Sequence, residues 1–206
     1  MKTRLGILIS GTGSNLQSIA AACKNPDYPA EIALVLTNQP EAKGITFAKK
    51  NGLATAVLAH QAYETRQTFE QAMHEQLHLA KVDLVCLAGF MRILSPFLVS
   101  RWAGRMLNIH PSLLPAFPGL HTHRRALEAG ASLHGCSVHQ VTEGLDEGPV
   151  QGQSTLQVLV NDTETSLQQR VLQLEHQLYP QVIAKTCQQL QQANLGKSAA
   201  RQNGSN

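Results

Sequence analysis

The sequence has 206 residues, of which 43% are hydrophobic and 15% are charged, and its formal net charge is +3. This length allows one large domain or two small ones with a sizeable core. This positive charge is too weak to indicate a nucleic-acid partner, and it suits a small anionic ligand at least as well. No apolar run is long enough to cross a membrane.

The cysteines and the N-terminal segment indicate the cellular compartment in which the protein is expected. The four cysteines are scattered and form no C-x-x-C pair, so neither a disulfide framework nor a thiolate zinc site is expected. The N-terminal segment "MKTRLGILISGTGS" begins like a signal peptide, but its short apolar run leads into a glycine loop. We therefore expect a first strand there and a cytoplasmic protein.

Short apolar runs alternate with helical patterns through the first half of the chain. The alternation predicts an α/β fold with a Rossmann-like, mostly parallel sheet flanked by helices, because such strands must be covered on both faces. The predicted strands cover residues 4–10, 31–37, 53–59, 82–90 and 105–110. The predicted helices cover residues 14–23, 41–52 and 65–80.

The pattern changes in the second half. The segments "HGCSVHQVT" and "GPVQGQSTLQV", joined by the turn "EGLDEG", predict an antiparallel C-terminal extension of the sheet. Apolar residues at spacings of three and four then predict a helix over residues 163–185. We assign residues 1–187 to a single domain. Residues 188–206 are polar and are predicted to form a disordered tail that the protein can lose without cost.

The glycine loop "SGTGSN", residues 10–15, lies between the first strand and the first helix. Free N–H groups at a helix start attract an anion, and glycines let the backbone approach it closely. A dinucleotide fingerprint is excluded because Leu16 stands where a third glycine is needed, so no NAD is expected. The "GKS" at 196–198 is no P-loop, since Gln191 replaces its first glycine. A site for one phosphate and a plain turn both remain open.

Asn108 and His110 lie at the end of the fifth predicted strand, where residues two apart share one face. Open α/β sheets place their ligands at this carboxyl edge. An Asn amide can donate to an oxyanion, and a His can exchange a proton near neutral pH. Asp146, in the turn "EGLDEGP", is either a turn former or a carboxylate that orients His110 and raises its pKa. The alternative is that all these side chains merely satisfy loop backbone groups.

Two further histidines, His121 and His123, follow in the same segment. Together with His110 they could in principle hold a metal, but the usual zinc spacings are missing and no metal site is expected. We interpret them as loop anchors at the start of a helix that Thr122 caps.

Four segments together resemble the folate-dependent phosphoribosylglycinamide formyltransferases of the formyltransferase superfamily. They are "ISGTGSNLQ", "LAGFMRILS", "LNIHPSLLPAFPGLHTH" and "GCSVHQVTEGLDEGPV", and the resemblance extends to "LEHQLYP". It implies formyl transfer from 10-formyltetrahydrofolate to the amine of 5-phosphoribosylglycinamide in de novo purine biosynthesis. It also implies that the partners are small molecules and that the protein uses no nucleic acid, membrane, metal or NAD. The protein is expected to be a monomer or a homodimer.

The resemblance also assigns site residues. The implied catalytic residues are Asn108, His110 and Asp146. The implied substrate-binding residues are Gly13, Ser14, Asn15 and Glu175. The implied folate-binding residues are Arg66, Met91, Arg92, Ile93, Leu94, Glu143, Gly144, Leu145, Asp146, Glu147 and Gly148.

Three other functions compete with this interpretation. A formyltetrahydrofolate hydrolase would use water as acceptor, and a methionyl-tRNA formyltransferase would use a charged tRNA. Both carry an additional domain that we do not expect in this chain. A non-catalytic nucleotide-binding module would explain the glycine loop, but not Asn108, His110 and Asp146 together.

Overall fold

A computed structural model describes the backbone of residues 2–203 and the side chains of residues 2–193. The strands of this part of the chain form a seven-stranded sheet in the order β3-β2-β1-β4-β5-β6-β7. The first five strands pair in parallel, and β6 and β7 extend the sheet in antiparallel fashion, as predicted. The strands are β1 Thr3–Ile9, β2 Ala30–Thr37, β3 Thr55–Val57, β4 Leu84–Leu87, β5 Met106–His110, β6 Leu133–Gln140 and β7 Val150–Gln157.

Helices cover both faces of the sheet. Alternate residues of β1 show why: Leu5 and Ile7 pack in a cluster with α1, α2 and α6, while Leu8 packs in a second cluster with α3 and α4. No helix of the described residues is long and apolar enough to cross a membrane. The helices are α1 Ser14–Cys23, α2 Lys43–Lys50, α3 Arg66–Leu79, α4 Pro96–Arg101, α5 Thr122–Glu128 and α6 Glu164–Asn203.

Tyr179 of α6 fixes this helix against the centre of the sheet. Its side chain is fully buried, and its hydroxyl lies 3.1 Å from the carbonyl oxygens of both Leu87 and Leu107. These carbonyls belong to the neighbouring strands β4 and β5. The contact therefore anchors α6 directly beneath the strand that carries Asn108 and His110.

The predicted disordered tail is wrong for the residues that the structure describes. Helix α6 continues through residues 188–203, whereas the predicted helix ended at residue 185. Ile183 and Cys187 are buried, and Leu190 packs partly buried against the same cluster. These positions continue a spacing of four and three, and glutamine is a good helix former. The prediction of disorder rested on the polar composition of this segment and took account of neither the apolar spacing nor the helix propensity of glutamine. Residues 204–206 lie outside the described part.

The segments that follow β1 and β4 meet at the carboxyl edge of the sheet. The Ser10 backbone N–H donates to the Gly89 carbonyl at 3.0 Å. The Met91 N–H donates to the Ser10 hydroxyl oxygen at 2.8 Å, and that hydroxyl donates to Asn38 Oδ1 at 2.6 Å. The glycine loop and the segment "GFMRIL" are thus held side by side, at the edge where β5 also ends.

Candidate active site

The glycine loop brings two helix starts together. Gly13 caps α1 with φ 73° and ψ 32°, in the left-handed region. A Cβ there would lie 2.8 Å from the Cα of Gly44, which is the second residue of α2. The positive ends of α1 and α2 therefore converge on this loop. Its free N–H groups can bind a small anion such as a phosphate.

The structure also joins two of the predicted substrate residues. Asn15 Nδ2 donates to Glu175 Oε2 at 2.6 Å, across the interface of α1 and α6. The two side chains belong to residues that are only 6% and 8% exposed. Burial raises the pKa of Glu175, while the hydrogen bond from Asn15 acts in the opposite direction. Asn15 Oδ1 is buried without a hydrogen-bond partner among the described residues, so one acceptor of this pair is unsatisfied.

The three predicted catalytic residues come together beyond the end of β5. His110 Nδ1 lies 3.3 Å from Asp146 Oδ2, and the two side chains are 7% and 10% exposed. The other ring nitrogen of His110, Nε2, lies 3.0 Å from the Phe117 carbonyl oxygen. Asp146 Oδ2 also accepts the Gly119 N–H at 2.9 Å. The loop that follows β5 thus folds back over the histidine that precedes it.

A fourth polar side chain, His139 of β6, completes this cluster and was not predicted from the sequence. It pairs directly with Asn108 in the antiparallel register of β5 and β6. Its Nε2 lies 3.1 Å from Asn108 Nδ2 and 3.6 Å from Asp146 Oδ1. Its Nδ1 lies 2.9 Å from the Gln140 carbonyl oxygen. The predicted neighbouring strand contained this histidine, but only the register reveals that it contacts Asn108.

Burial and hydrogen bonding act in opposite directions on the central pair. Burial lowers the pKa of His110 below its ordinary value, although the Phe117 carbonyl and the Asp146 carboxylate both act to raise it. The predicted effect of Asp146 on this pKa is present, but the low-dielectric surroundings outweigh it. Burial acts to raise the pKa of Asp146, yet the nearby His139 imidazole, the hydrogen bond from the Gly119 N–H and the proximity of His110 hold it below its ordinary value.

The predicted folate-binding segment presents exposed apolar side chains. Met91 is 70% exposed and Ile93 is 62% exposed, whereas Leu94 is buried against the core. The Arg92 guanidinium lies 5.8 Å from the centre of the Phe69 ring of α3. Arg66, exposed at the start of α3, precedes that ring by about one helical turn. This surface can receive a flat aromatic ligand with an acidic tail.

The model of the formyl transferase family matches residues 3–183. The chain belongs to this family. It is 48% identical over 178 residues to phosphoribosylglycinamide formyltransferase from Escherichia coli strain K12, across 86% of this chain and 84% of that protein.

Longer relatives and solved structures agree with this assignment. The chain is 44% identical over 179 residues to the human trifunctional purine biosynthetic protein adenosine-3, of which it spans 18%. The crystal structure of phosphoribosylglycinamide formyltransferase from Brucella melitensis superposes with a TM-score of 0.88 at 46% identity, covering 91% of this chain and 96% of that one.

A buried hydrogen-bond network shapes the loop after β5 in this formyl transferase. The Ser137 hydroxyl of β6 donates to the Ser112 carbonyl at 2.6 Å and accepts the Leu114 N–H at 3.0 Å. Gln153 Nε2 of β7 lies 2.9 Å from the Leu114 carbonyl and 2.8 Å from the Ser137 hydroxyl. The antiparallel strands therefore hold the loop that supplies the Phe117 carbonyl. No sequence pattern predicts this network, because its members are far apart along the chain.

Two buried histidines support the same loop from behind. His123 Nδ1 lies 3.1 Å from His134 Nε2, and burial lowers the pKa of His134 to about 4, helped by the proximity of His123 and His110. His123 therefore joins α5 to β6, and its role as a loop anchor stays a prediction. The prediction that Thr122 caps α5 is wrong. The chain enters the helix through the left-handed residue His121, so Thr122 is already helical.

The turn between β6 and β7 delivers Asp146 to the site. Asp146 adopts a left-handed conformation with φ 55°. A Cβ on Gly148 would lie 1.9 Å from the Gln140 carbonyl oxygen, so the turn must close on glycine. Leu145 is 56% exposed, and its side chain lies 3.7 Å from the position of a Cβ on Gly119. It therefore borders the loop over His110.

The remaining predicted residues occupy the same regions without a distinctive contact to the central cluster. Ser14 is the first residue of α1. Glu143 and Glu147 are exposed in the turn, and the Glu147 carboxylate folds back over Gly144. No group of three or more His, Cys, Asp or Glu side chains among the described residues is arranged to hold a metal ion.

Proposed function

We propose that this protein transfers the formyl group of 10-formyltetrahydrofolate to the amine of 5-phosphoribosylglycinamide, in cytoplasmic de novo purine (IMP) biosynthesis. The observation that carries this proposal is the His110–Asp146 contact of 3.3 Å beside Asn108, at the ligand-binding edge of the sheet. The length match to the Escherichia coli phosphoribosylglycinamide formyltransferase supports it, since the chain covers 84% of that protein.

The amine substrate would bind through its phosphate and ribose. The loop Gly13–Asn15, at the start of α1 and beside α2, offers backbone N–H groups and two helix dipoles to the phosphate. The linked side chains of Asn15 and Glu175 carry oxygen acceptors suited to ribose hydroxyl groups. The phosphate and the ribose would then direct the amine towards His110.

The formyl donor fits the apolar surface that lies across the site. Met91, Ile93 and Leu145 expose large apolar side chains that a pterin ring would cover. Arg92 and Leu94 would complete the wall, with Arg66 near the glutamate tail. The turn 143–148 would close over the ring, with Glu143, Gly144, Glu147 and Gly148 contributing mainly backbone contacts. This donor acts as a co-substrate and requires neither a metal nor NAD.

The cluster supplies what formyl transfer demands. As the amine nitrogen bonds to the formyl carbon, the formyl oxygen becomes an oxyanion, which the Asn108 amide and a protonated His110 would stabilise. The bond from carbon to the folate nitrogen then breaks. Asp146, acting through water, would help move the proton from the amine to the leaving nitrogen. The amine loses one proton and the folate nitrogen gains it, so the step is balanced.

The His110 ring would be protonated chiefly while the bound substrates react. Both ring nitrogens face oxygen acceptors, Asp146 Oδ2 and the Phe117 carbonyl, which suits a ring protonated at both positions. In the ligand-free site burial outweighs these partners and lowers the pKa. A developing oxyanion adds a further negative group beside the ring. The imidazolium is therefore stabilised most in the transition state, where stabilisation accelerates the reaction.

The decisive experiment compares acceptors. The purified protein is mixed with 10-formyltetrahydrofolate and with 5-phosphoribosylglycinamide, methionyl-tRNA or no added acceptor, and deformylation of the folate is followed by absorbance. We expect rapid deformylation with 5-phosphoribosylglycinamide alone. Equal rates without an added acceptor would indicate a hydrolase, and activity with methionyl-tRNA would indicate a different formyltransferase. Binding of the nucleotide without turnover would indicate a non-catalytic module.

A further inference from the structure

We propose that His139 is a positioning residue that fixes the orientation of the catalytic Asn108 amide by remaining a neutral imidazole with its proton on Nδ1. The inference concerns the same site and rests on the proposed function for its kinetic consequences. Its structural part concerns the position of the proton on the His139 ring and the orientation of the Asn108 amide, and it can be tested without turnover.

The partners of the two imidazoles differ in kind. His110 has an oxygen acceptor at each nitrogen. His139 has an oxygen acceptor within hydrogen-bond distance at only one nitrogen, since the Gln140 carbonyl oxygen lies 2.9 Å from Nδ1, whereas Asp146 Oδ1 lies 3.6 Å from Nε2. At Nε2 its nearest partner is Asn108 Nδ2, a donor, at 3.1 Å. A proton on Nδ1 and a lone pair on Nε2 satisfy both of these contacts at once.

Charge balance points to the same assignment. Asp146 provides one carboxylate to two imidazoles, at 3.3 Å from His110 and 3.6 Å from His139. Both rings are buried, with side chains 7% and 3% exposed, and two buried positive charges beside one carboxylate would leave one charge uncompensated. The shorter contact and the second acceptor both assign the charged form to His110. His139 is therefore the ring that stays neutral.

A neutral His139 determines which way the Asn108 amide faces. One N–H of Asn108 Nδ2 donates to His139 Nε2, so the amide cannot rotate by half a turn without opposing its oxygen to that lone pair. The second N–H of the same nitrogen remains free to donate to the formyl oxyanion. If His139 were protonated or absent, the amide could present its oxygen to the oxyanion, which would be repulsive.

The tautomer can be observed directly by NMR. In the ligand-free protein with ¹⁵N-labelled histidine, long-range proton–nitrogen correlations distinguish protonated from unprotonated ring nitrogens. We expect the His139 ring at pH 7 to show a protonated Nδ1 and an unprotonated Nε2. A proton on Nε2 alone, or on both nitrogens, would overturn the proposal. Because no turnover is involved, this outcome is separate from failure of the proposed function.

Kinetics test whether the ring acts through Asn108. His139→Leu removes the acceptor at similar volume, and we expect kcat to fall about 10–100-fold with both Michaelis constants nearly unchanged, a smaller loss than the roughly 10²–10³-fold cost of removing an oxyanion donor. His139→Gln offers an amide oxygen near the position of Nε2 and should recover most of this loss. The matched control is His78→Leu, which removes an exposed imidazole near the end of α3 and should leave kcat unchanged.

A double-mutant cycle separates positioning from general support of the fold. In an Asn108→Ala background, His139→Leu should cost less than twofold in kcat, because the amide that it orients is gone. An undiminished cost there would show that His139 acts by another route and would overturn the proposal. If His139→Leu fails to fold, the NMR result decides.

Discussion

At the scale of single residues, Asp146 serves both imidazoles of the cluster, so replacing it with Asn is a sharp test of the mechanism. Asp146→Asn keeps the shape but removes the charge that acts to raise the pKa of His110. We expect that pKa to fall further and kcat to drop roughly 10²–10⁴-fold, the usual size of an acid–base contribution. Michaelis constants for both substrates should change little, because the lost interaction belongs to the transition state.

This result would be checked by steady-state kinetics together with NMR titration of His110. Near-normal turnover in a folded Asp146→Asn variant would leave Asp146 as a turn residue without a part in the chemistry. Lost turnover with an unchanged pKa of His110 would keep Asp146 in proton transfer while rejecting its electrostatic coupling to the ring.

Gly13 gives a second residue-scale prediction. Gly13→Ala forces a side chain into the left-handed region and to within 2.8 Å of the Gly44 Cα. We expect a weakened affinity for 5-phosphoribosylglycinamide and little change for the folate, as measured by calorimetry. Gly52→Ala is the matched control, because Gly52 is also left-handed, with φ 69°, and a Cβ there has nothing within 4 Å. Equal losses for both ligands would indicate a damaged fold rather than a damaged phosphate site.

At the scale of secondary-structure elements, the predicted bounds were most accurate where one sequence pattern extended over the whole element. Helix α1 matched its predicted bounds, and β1, β2 and β5 matched to within a residue. The short helix α4, Pro96–Arg101, was missed because six residues hold too little periodicity. The predicted strand over 53–59 shrank to Thr55–Val57 at the sheet edge.

The candidate site shows the same division between local and long-range information. Asn108 and His110 could be placed on one face because a strand has a period of two. The contact between Asn108 and His139 depends on strand register, which neither segment encodes by itself. The Phe117 carbonyl at His110 depends on how a loop folds back, which no pattern specifies. The side chains were therefore predictable, and so was Asp146 as a partner of His110, whereas the contacts with His139 and the Phe117 carbonyl were not.

The end of α6 gives an element-scale prediction that replaces the expected dispensable tail. Gln191 Nε2 donates to Thr3 Oγ1 at 3.2 Å and to the Pro29 carbonyl at 3.1 Å, and Leu190 packs against the core. A chain of residues 1–187 loses these contacts, whereas a chain of residues 1–193 keeps them. We expect the shorter chain to melt several degrees lower, since about 1 kcal/mol corresponds to about 2–4 °C at this size. Equal melting temperatures would show that the contacts contribute nothing.

At the scale of the whole molecule, buried imidazoles that lie behind the active-site loop also make the stability of the fold depend on pH. The His123–His134 pair joins α5 to β6 behind the loop that covers His110. Burial lowers the pKa of both histidines, that of His134 to about 4. In the unfolded chain these rings regain ordinary pKa values of about 6.5. Acid therefore favours the unfolded chain, and folding depends on keeping the pair neutral.

The sign of the pH dependence follows from proton uptake. Between pH about 6.5 and about 4 the unfolded chain binds more protons than the folded one, so stability is complete above this window and falls as the pH falls through it. We expect the melting temperature to decline from pH 7.5 to 4.5, measured by circular dichroism at constant ionic strength. His134→Gln should flatten this decline, whereas His78→Gln, at an exposed position, should not. His134→Gln removes the ring with the most strongly lowered histidine pKa of the described residues. If the melting temperature of this variant still declines with pH as steeply as that of the wild type, other groups cause the acid sensitivity.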